Sequence, residues 1–143
     1  MLRTPVVVLL LTLLATLGSV GVEAQHSKGR VIMLFGARWC APCMAEYRDL
    51  PILARAAAPD HLILAWVDRP IAPPAASAPD VGTIPIEDAR RIADQVGGVG
   101  YGLPFSAMFD ADGRLCAEWR NPLGPQDVEH LRARCRSTAK TAQ

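Results

Sequence analysis

The sequence predicts an α/β domain in which a central mixed β-sheet of about four strands is flanked by helices. Two apolar runs of strand length, 31–35 and 62–67, are typical of strands buried on both faces of a sheet. The segments Phe105–Phe109 and Leu115–Trp119 are joined by residues 110–113, whose Asp and Gly content predicts a tight hairpin. The expected order of elements is strand, helix, strand, helix, hairpin, helix.

The first helix is expected to begin directly after the first strand. It starts at Ala41, with Pro42 in the first turn, where a missing N–H is tolerated. We expect it to run to about Asp49, to end or kink at Pro51, and to continue for two turns over 52–58.

Two further helices are predicted from apolar residues at helical spacing. The first covers 87–96 and is ended by the glycines at 97 and 98. The second follows Pro125, and three residues form its apolar face: Val128, Leu131 and Cys135. Residues 70–79 contain too many prolines for regular structure, and we interpret them as a connector, with a recognition loop as the alternative.

Length and composition indicate one domain and argue against a polyanionic partner. The chain has 143 residues, of which 50 % are hydrophobic, and this suits a single core of ordinary size. Fifteen basic residues nearly balance fourteen acidic ones, and no tract rich in Lys and Arg stands out. We therefore expect no binding of nucleic acid.

The N-terminal residues form a separate segment that is typical of exported proteins. Arg3 precedes the apolar run 6–17, and small residues lead to Ala24. We interpret 1–24 as a signal peptide and 25–143 as the mature domain. An uncleaved membrane anchor is the alternative, because the uncharged stretch 4–22 is about long enough to cross a bilayer. Both readings place the domain outside the cytoplasm, in the periplasm or an equivalent space where disulfides persist.

A pair of cysteines, Cys40 and Cys43, lies at the junction between the first strand and the first helix. Because positions i and i+3 meet in a helical turn, the two thiols can close a small disulfide ring. The free N–H groups at the helix start stabilise an anion, so we expect a nucleophilic thiolate of lowered pKa at Cys40 and a resolving thiol at Cys43. Trp39 can shield the pair while leaving one sulfur open, and Pro42 stiffens the ring.

Metal sites are an alternative use of a close cysteine pair. A c-type haem site requires His after the second cysteine, and Met44 stands there instead. A structural zinc site requires a second close pair, which the sequence does not contain. Copper stays open as an alternative, because three histidines could complete a thiolate site: His26, His61 and His130. Our expectation is redox exchange, with no metal and no cofactor.

Two motifs resemble the thioredoxin-like superfamily, and in particular its exported TlpA-like branch. The segment 35–43, Phe-Gly-Ala-Arg-Trp-Cys-Ala-Pro-Cys, resembles the active-site segment of that family. Residues 102–104, Gly-Leu-Pro, resemble its Gly-x-Pro turn, whose proline is cis and lies beside the disulfide. The resemblance covers about 30–136 and implies a thioredoxin-like fold, in which the N-terminal β-α unit is reduced or absent.

The resemblance also implies residue roles and partners. It makes Cys40 the nucleophile and Cys43 the resolving thiol of a protein thiol-disulfide oxidoreductase. A surface that pairs with an extended substrate segment is implied at five residues: Trp39, Ala41, Pro42, Leu103 and Pro104. The implied partners are client proteins with disulfides or thiols and a membrane-embedded electron donor, and we expect a monomer.

One departure from the family concerns the acid that handles protons. Thioredoxins place a buried Asp on the strand before the disulfide, and Leu34 occupies the matching position. Glu46, one helical turn after Cys43, resembles an acidic residue of the TlpA-like branch and could serve as the proton relay. The alternative is that Glu46 is an ordinary solvated residue on the helix surface.

The remaining cysteines, Cys116 and Cys135, fall on elements that are neighbours in the implied fold. A structural disulfide between them closes a loop of about 20 residues, for which the chain-entropy model gives roughly 3 kcal/mol of stabilisation. Two buried free thiols, or a second redox couple, are the alternatives.

The residues between Cys40 and Cys43 indicate the direction of electron flow. Strong oxidants of this fold carry a His there, and Ala41-Pro42 offers no such donor, so the pair favours reduction or electron relay. A copper-binding metallochaperone and a noncatalytic docking module of the same fold are the alternative functions.

Overall fold

The computed structural model describes residues 29–77 and 80–141. The elements in chain order are β1 Val31–Gly36, α1 Ala41–Arg48, α2 Leu50–Ala57, β2 His61–Trp66, β3 Val81–Thr83, α3 Ile86–Gly97, β4 Phe105–Phe109, β5 Leu115–Trp119 and α4 Pro125–Thr141. The predicted α/β class is confirmed, and both strands of the hairpin have the predicted bounds. The predicted 1–24 signal peptide lies outside the described residues.

The sheet is mixed and has the strand order β3-β2-β1-β4-β5. β1 is parallel to β2 and antiparallel to β4, β2 is parallel to β3, and β4 is antiparallel to β5. The expected number of about four strands is one too low, because β3 was not predicted. This strand has only three residues, Val81–Thr83, and it follows directly on the proline-rich connector, so no alternation of apolar residues marks it.

Helices cover both faces of the sheet, but unequally. On one face the apolar residues of α1, α2 and α4 pack against the strands and form the larger core, which includes Leu53, Leu131 and Met108. On the other face α3 packs alone through Ala89 and Ala93. The rings of Phe35 and Phe105 stack there, with their centroids 4.5 Å apart, and join the two central strands.

The break between α1 and α2 falls at Asp49, two residues before Pro51. The Asp49 N–H donates to the carbonyl oxygens of the turn before it, and the Asp49 carbonyl accepts from Ile52 and Leu53 at 2.9 and 3.0 Å. Asp49 therefore ends one helix and begins the next. The predicted interruption is confirmed, and Pro51 occupies the first turn of α2, where its missing N–H costs nothing.

An arginine at the middle of α4 attaches this helix to the end of α2. Arg132 is 8 % exposed, and its Nε donates to Asp60 Oδ2 at 2.7 Å. Its terminal nitrogens donate to the carbonyls of Ala57 and Ala58 and to Glu129. The C-terminal helix α4 is thus held to the end of α2 by a buried, hydrogen-bonded charge.

Within the described ranges, no helix is long and apolar enough to cross a membrane.

Candidate active site

Cys40 and Cys43 form a disulfide at the start of α1. Cys40 is the N-cap residue, with an extended backbone at φ −86° and ψ 105°, and Cys43 lies in the first turn. Their Cα atoms are 5.2 Å apart. The strand β1 delivers the chain to this point, and the helical turn then brings the second sulfur back to the first.

The polar group that faces Cys40 is a backbone donor. The Cys43 N–H donates to Cys40 Sγ at 3.2 Å, so the sulfur occupies the acceptor position that a Ser or Asp oxygen usually fills at an N-cap. This contact becomes charge-assisted when Cys40 is a thiolate, and it favours the anion over the thiol. The geometry therefore provides the anion-stabilising environment that the helix start was expected to supply.

Both cysteines are nearly buried in the disulfide form. Cys40 is 4 % exposed and Cys43 is 2 % exposed, so the expectation that the first sulfur stands open is wrong for this form. Trp39 is 74 % exposed, so most of its ring faces solvent. Ala41 and Pro42 are also exposed. These exposed residues form the rim around the nearly buried Cys40.

The Gly-x-Pro turn lies at the same end of the sheet. The Leu103–Pro104 peptide bond is cis, and Phe105, which follows it, pairs with Phe35 of β1. The turn is therefore next to Gly36, the last residue of β1. A Cβ placed on Gly36 would lie 3.1 Å from the Cβ of Cys43. The two sequence motifs thus meet at one corner of the fold.

Glu46 is a buried acid on the inner side of α1. It is 6 % exposed, so the reading of Glu46 as a solvated surface residue is wrong. Its Oε1 accepts a hydrogen bond from the Leu123 N–H at 2.6 Å. Burial raises the pKa of Glu46 to about 7, and the Leu123 hydrogen bond partly opposes this. Leu34, at the position of the family's Asp, is buried on β1 and provides no polar group.

Trp66, at the end of β2, is a neighbour of the disulfide that the sequence did not reveal. It lies beside Gly36 in the parallel pairing of β1 and β2. A small cavity behind Cys43 is lined by both Trp66 and Glu46. In the sequence Trp66 is one residue of an apolar run, and nothing distinguishes it from an ordinary core residue.

Cys116 and Cys135 form a second disulfide, which joins β5 to α4 with a Cα–Cα distance of 4.6 Å. Cys135 is buried in the larger core, and Cys116 packs against it. Two further contacts tie the same elements together: Arg134 donates to the Glu118 carbonyl at 2.8 Å, and the Thr138 hydroxyl donates to the Cys116 carbonyl at 3.2 Å. The free-thiol alternative does not describe this structure.

Of the three histidines considered as metal ligands, the two that the structure describes, His61 and His130, lie on elements away from the start of α1. Over residues 29–77 and 80–141, no group of three or more His, Cys, Asp and Glu side chains could hold a metal ion. His130 lies on α4, where its Nδ1 is 3.9 Å from Asp127, and His61 begins β2 at the opposite end of the strand from Trp66. His26 lies outside the described residues.

Comparisons with known proteins give matches in structure only. No protein-family model matches the sequence, and no curated protein matches it. A thiol:disulfide interchange protein of the thioredoxin family from Chlorobium tepidum TLS is similar, with a TM-score of 0.52 and 21 % identity over 73 % of this chain and 77 % of that one. A DsbF homologue from Corynebacterium diphtheriae has a TM-score of 0.51 and 18 % identity, covering 77 % of this chain and 74 % of that one.

A third similar structure is the exposed lipoprotein thioredoxin Etrx1 from Streptococcus pneumoniae. Its TM-score is 0.50 at 17 % identity, with 76 % of this chain and 89 % of that one covered. All three are low in identity, so the likeness is one of fold. Together with the mixed five-stranded sheet and a disulfide at the Cys-x-x-Cys position, these matches show that the chain has a thioredoxin-like fold.

Proposed function

We propose that this protein is an exported thiol-disulfide oxidoreductase that reduces, or relays electrons to, disulfides of client proteins through Cys40 and Cys43. One observation carries the proposal: the Cys40–Cys43 disulfide is placed at a helix start, with the Cys43 N–H directed at Cys40 Sγ. A disulfide that served stability alone has no need of a donor that stabilises the thiolate released on reduction.

The proposed reaction has two exchange steps. The Cys40 thiolate of the reduced protein attacks one sulfur of a client disulfide, which forms a Cys40–client bond and releases the other client sulfur as a thiolate. Cys43, once deprotonated, attacks Cys40 Sγ and forms the Cys40–Cys43 bond, while the second client sulfur leaves as a thiolate. Two electrons pass from the protein dithiol to the client disulfide.

Glu46 is the proposed acceptor of the proton that Cys43 must lose. Its pKa of about 7 means that near neutral pH it exists in both forms, as a general base requires. It lies one turn after Cys43 on the same helix, and the cavity behind the disulfide is lined by both residues. Leu34 offers no alternative acid on β1.

The residues between the two cysteines support the reducing direction. Ala41 has no polar side chain, and Pro42 has no N–H, so neither side chain stabilises the Cys40 thiolate further. The less the reduced form is stabilised, the more reducing the couple becomes. The role is therefore to donate electrons rather than to form disulfides.

Two observations support export. The N-terminal 1–24 segment has the charge, apolar run and small residues of a signal peptide, and the similar Etrx1 is described as an exposed lipoprotein. An exported reductase needs a source of electrons outside the cytoplasm, and a membrane-embedded donor meets that need. Clients are then exported proteins that carry disulfides.

Reduction of insulin by the mature protein with dithiothreitol as electron source tests the proposal. We expect turnover well above the dithiothreitol background, and its loss in Cys40→Ser. The matched control is Cys116→Ser with Cys135→Ser, which removes the other disulfide and should retain turnover. Wild-type protein that adds nothing to the background would contradict the proposal and favour a docking module, or a metallochaperone if the reduced protein binds Cu(I).

A second test separates the roles of the two cysteines. In Cys43→Ser the Cys40–client bond forms but cannot be resolved, so we expect a mixed disulfide on non-reducing gels that reductant removes. Cys40→Ser is the control and should trap little client. If Cys43→Ser turns over insulin at the wild-type rate, the assignment of Cys43 as the resolving thiol is wrong.

A further inference from the structure

A buried indole N–H near the active site has no acceptor within residues 29–77 and 80–141. Trp66 is 4 % exposed, and its Nε1 has no hydrogen-bond partner among the described residues. Among the same residues, Ser106 Oγ is the other buried side-chain atom without a hydrogen-bond partner. Since an unpaired buried donor costs about 1–3 kcal/mol, such a group calls for an explanation.

The Trp66 ring and Cys43 both lie close to Gly36. A Cβ built on Gly36 would lie 3.5 Å from Cys43 Sγ and 3.7 Å from Trp66 Cε2, the ring carbon bonded to Nε1. Because glycine has no side chain, Gly36 fills none of the space between the sulfur and the indole ring. At Gly36 a gap, rather than a methyl group, therefore lies between Cys43 Sγ and the Trp66 ring.

This gap belongs to a cavity of the size of one water molecule. Its volume is about 10 Å³, and its polar or titratable lining residues are Cys43, Glu46, Tyr47 and Trp66. About 10–15 Å³ by this measure suffices for one water, provided that polar partners surround it. The Tyr47 hydroxyl is already used, because it donates to the Ala72 carbonyl at 2.8 Å.

Glu46 meets the cavity from α1, and its surroundings contain few other charges. Leu123, in the segment before α4, gives it a backbone N–H. β1 contributes Leu34, Phe35 and Gly36, and β2 contributes Leu64 and Trp66, so the titratable groups lining the cavity besides Glu46 are Cys43 and Tyr47. A water in the cavity can therefore accept from Trp66 and donate to the Glu46 carboxylate.

We propose that Trp66 is a positioning residue whose indole N–H holds a water molecule between Cys43 Sγ and the Glu46 carboxylate. The Cys43 thiol gives its proton to this water, and the water passes one of its own protons to Glu46. The resulting Cys43 thiolate then displaces the client sulfur from Cys40. This inference rests on the proposed function, since it assigns the route by which the resolving thiol is activated.

Nuclear magnetic resonance of the reduced wild-type protein tests the water directly. The Nε1–H signal of Trp66, assigned by its loss in Trp66→Phe, should move with pH and follow the ionisation of Glu46, whose pKa is about 7. In Glu46→Gln the movement near that pH should disappear. A Trp66 signal that does not respond to pH between 5 and 9 (about two units either side of that pKa) would overturn the proposal, whether or not the protein reduces insulin.

Single-turnover oxidation of the reduced protein by insulin tests the effect on the reaction. Trp66→Phe removes the N–H but keeps an aromatic ring, so Glu46 loses its hydrated contact and its pKa rises. The acidic limb of the rate profile should move to higher pH, and the rate at pH 7 should fall about 2- to 5-fold, as a rise of half a unit to one unit from a pKa of about 7 predicts.

Ser106→Ala is the matched control. It removes the other unpaired polar group, which is buried on β4 opposite Leu34 and does not line the cavity, so its profile should coincide with that of the wild type. A Trp66→Phe profile that also coincides would contradict the proposal, while thermal unfolding verifies that each variant is folded. If the wild type itself fails to reduce insulin, the proposed function fails, and the Trp66 titration still decides the water site.

Discussion

The two disulfides of this protein differ in burial and in what faces their sulfur atoms: both sulfurs of the first belong to buried cysteines, whereas the second joins the partly buried Cys116 to the buried Cys135. Cys40–Cys43 spans three residues at a helix start, whereas Cys116–Cys135 spans nineteen and joins a strand to a helix. Cys40 Sγ lies 3.2 Å from the Cys43 N–H. Cys116 Sγ lies 3.3 Å from a carbonyl oxygen, that of Met108.

This difference predicts which bond exchanges. A backbone N–H donates a hydrogen bond to a thiolate and stabilises it. A carbonyl oxygen repels a thiolate and can accept a hydrogen bond only from a protonated thiol. We therefore expect Cys40 to leave and to attack as an anion, and we do not expect this of Cys116. We expect the polar group beside each sulfur, rather than exposure alone, to determine which of the two disulfides exchanges.

The largest effect on stability is expected from replacement of Arg132, which attaches α4 to the end of α2. Arg132→Met leaves the buried Asp60 carboxylate with Arg30 as its remaining arginine and removes the donors to Ala57 and Ala58. We expect a loss of about 3–5 kcal/mol in unfolding free energy, measured by urea denaturation. The control is Arg134→Met on the same helix, whose exposed side chain makes one carbonyl contact and should cost under about 1 kcal/mol. Equal losses in both variants would contradict the anchoring role of Arg132.

Removal of the second disulfide should affect stability without affecting exchange. Cys116→Ala with Cys135→Ala is expected to lower the unfolding free energy by about 3 kcal/mol, the entropy of a loop of this length. The single-turnover rate with insulin should stay within about twofold of the wild-type rate. The second disulfide lies at the other end of the sheet from the active site, so its removal should change the activation free energy by under about 0.5 kcal/mol. A large loss of rate in a folded double variant would make Cys116 and Cys135 a second redox couple.

Replacement of Glu46 should change how the stability of the fold depends on pH. The pKa of Glu46 in the folded state, about 7, is above the usual 4.5. Protonated Glu46 therefore stabilises the folded state, and this contribution is complete below pH 4.5 and is lost as pH rises through 7. Glu46→Gln avoids that loss. It should match the wild type near pH 4 and exceed it by about 3 kcal/mol at pH 9 in urea denaturation.

The matched control for Glu46→Gln is Glu87→Gln, an exposed position at the start of α3. This variant should follow the wild-type stability at every pH. A Glu46→Gln variant whose stability changes with pH just as the wild type does would show that Glu46 ionises freely in the fold and is not the buried acid described above.

The smallest change in stability is expected at the exposed rim of the active site. Trp39→Ala should alter the unfolding free energy by less than about 0.5 kcal/mol, because most of the ring faces solvent. Its removal should nevertheless raise KM for insulin several-fold, with little change in kcat. Ile52→Ala, an exposed apolar position on α2, is the control and should leave KM unchanged. Equal KM values for Trp39→Ala and the wild type would remove Trp39 from the client surface.

Local sequence patterns predicted most of the fold, and the contacts distant in sequence explain what was missed. The hairpin and the helix stop at 97 and 98 follow from turn residues and apolar spacing, which act over a few positions. The burial of Glu46 depends on Leu123, 77 residues later, and the α1 sequence has no clear apolar face to signal it. Trp66 became part of the site only because parallel pairing places it beside Gly36.

The most direct test of the account compares the thiols of the fully reduced protein. Alkylation with iodoacetamide across a range of pH, followed by mass spectrometry of each cysteine, gives a pKa for Cys40 and for Cys116 in one sample. The account predicts a midpoint for Cys40 below the ordinary value of about 8.5 and at least about one unit below that of Cys116. A midpoint for Cys40 equal to or higher than that of Cys116 would contradict it.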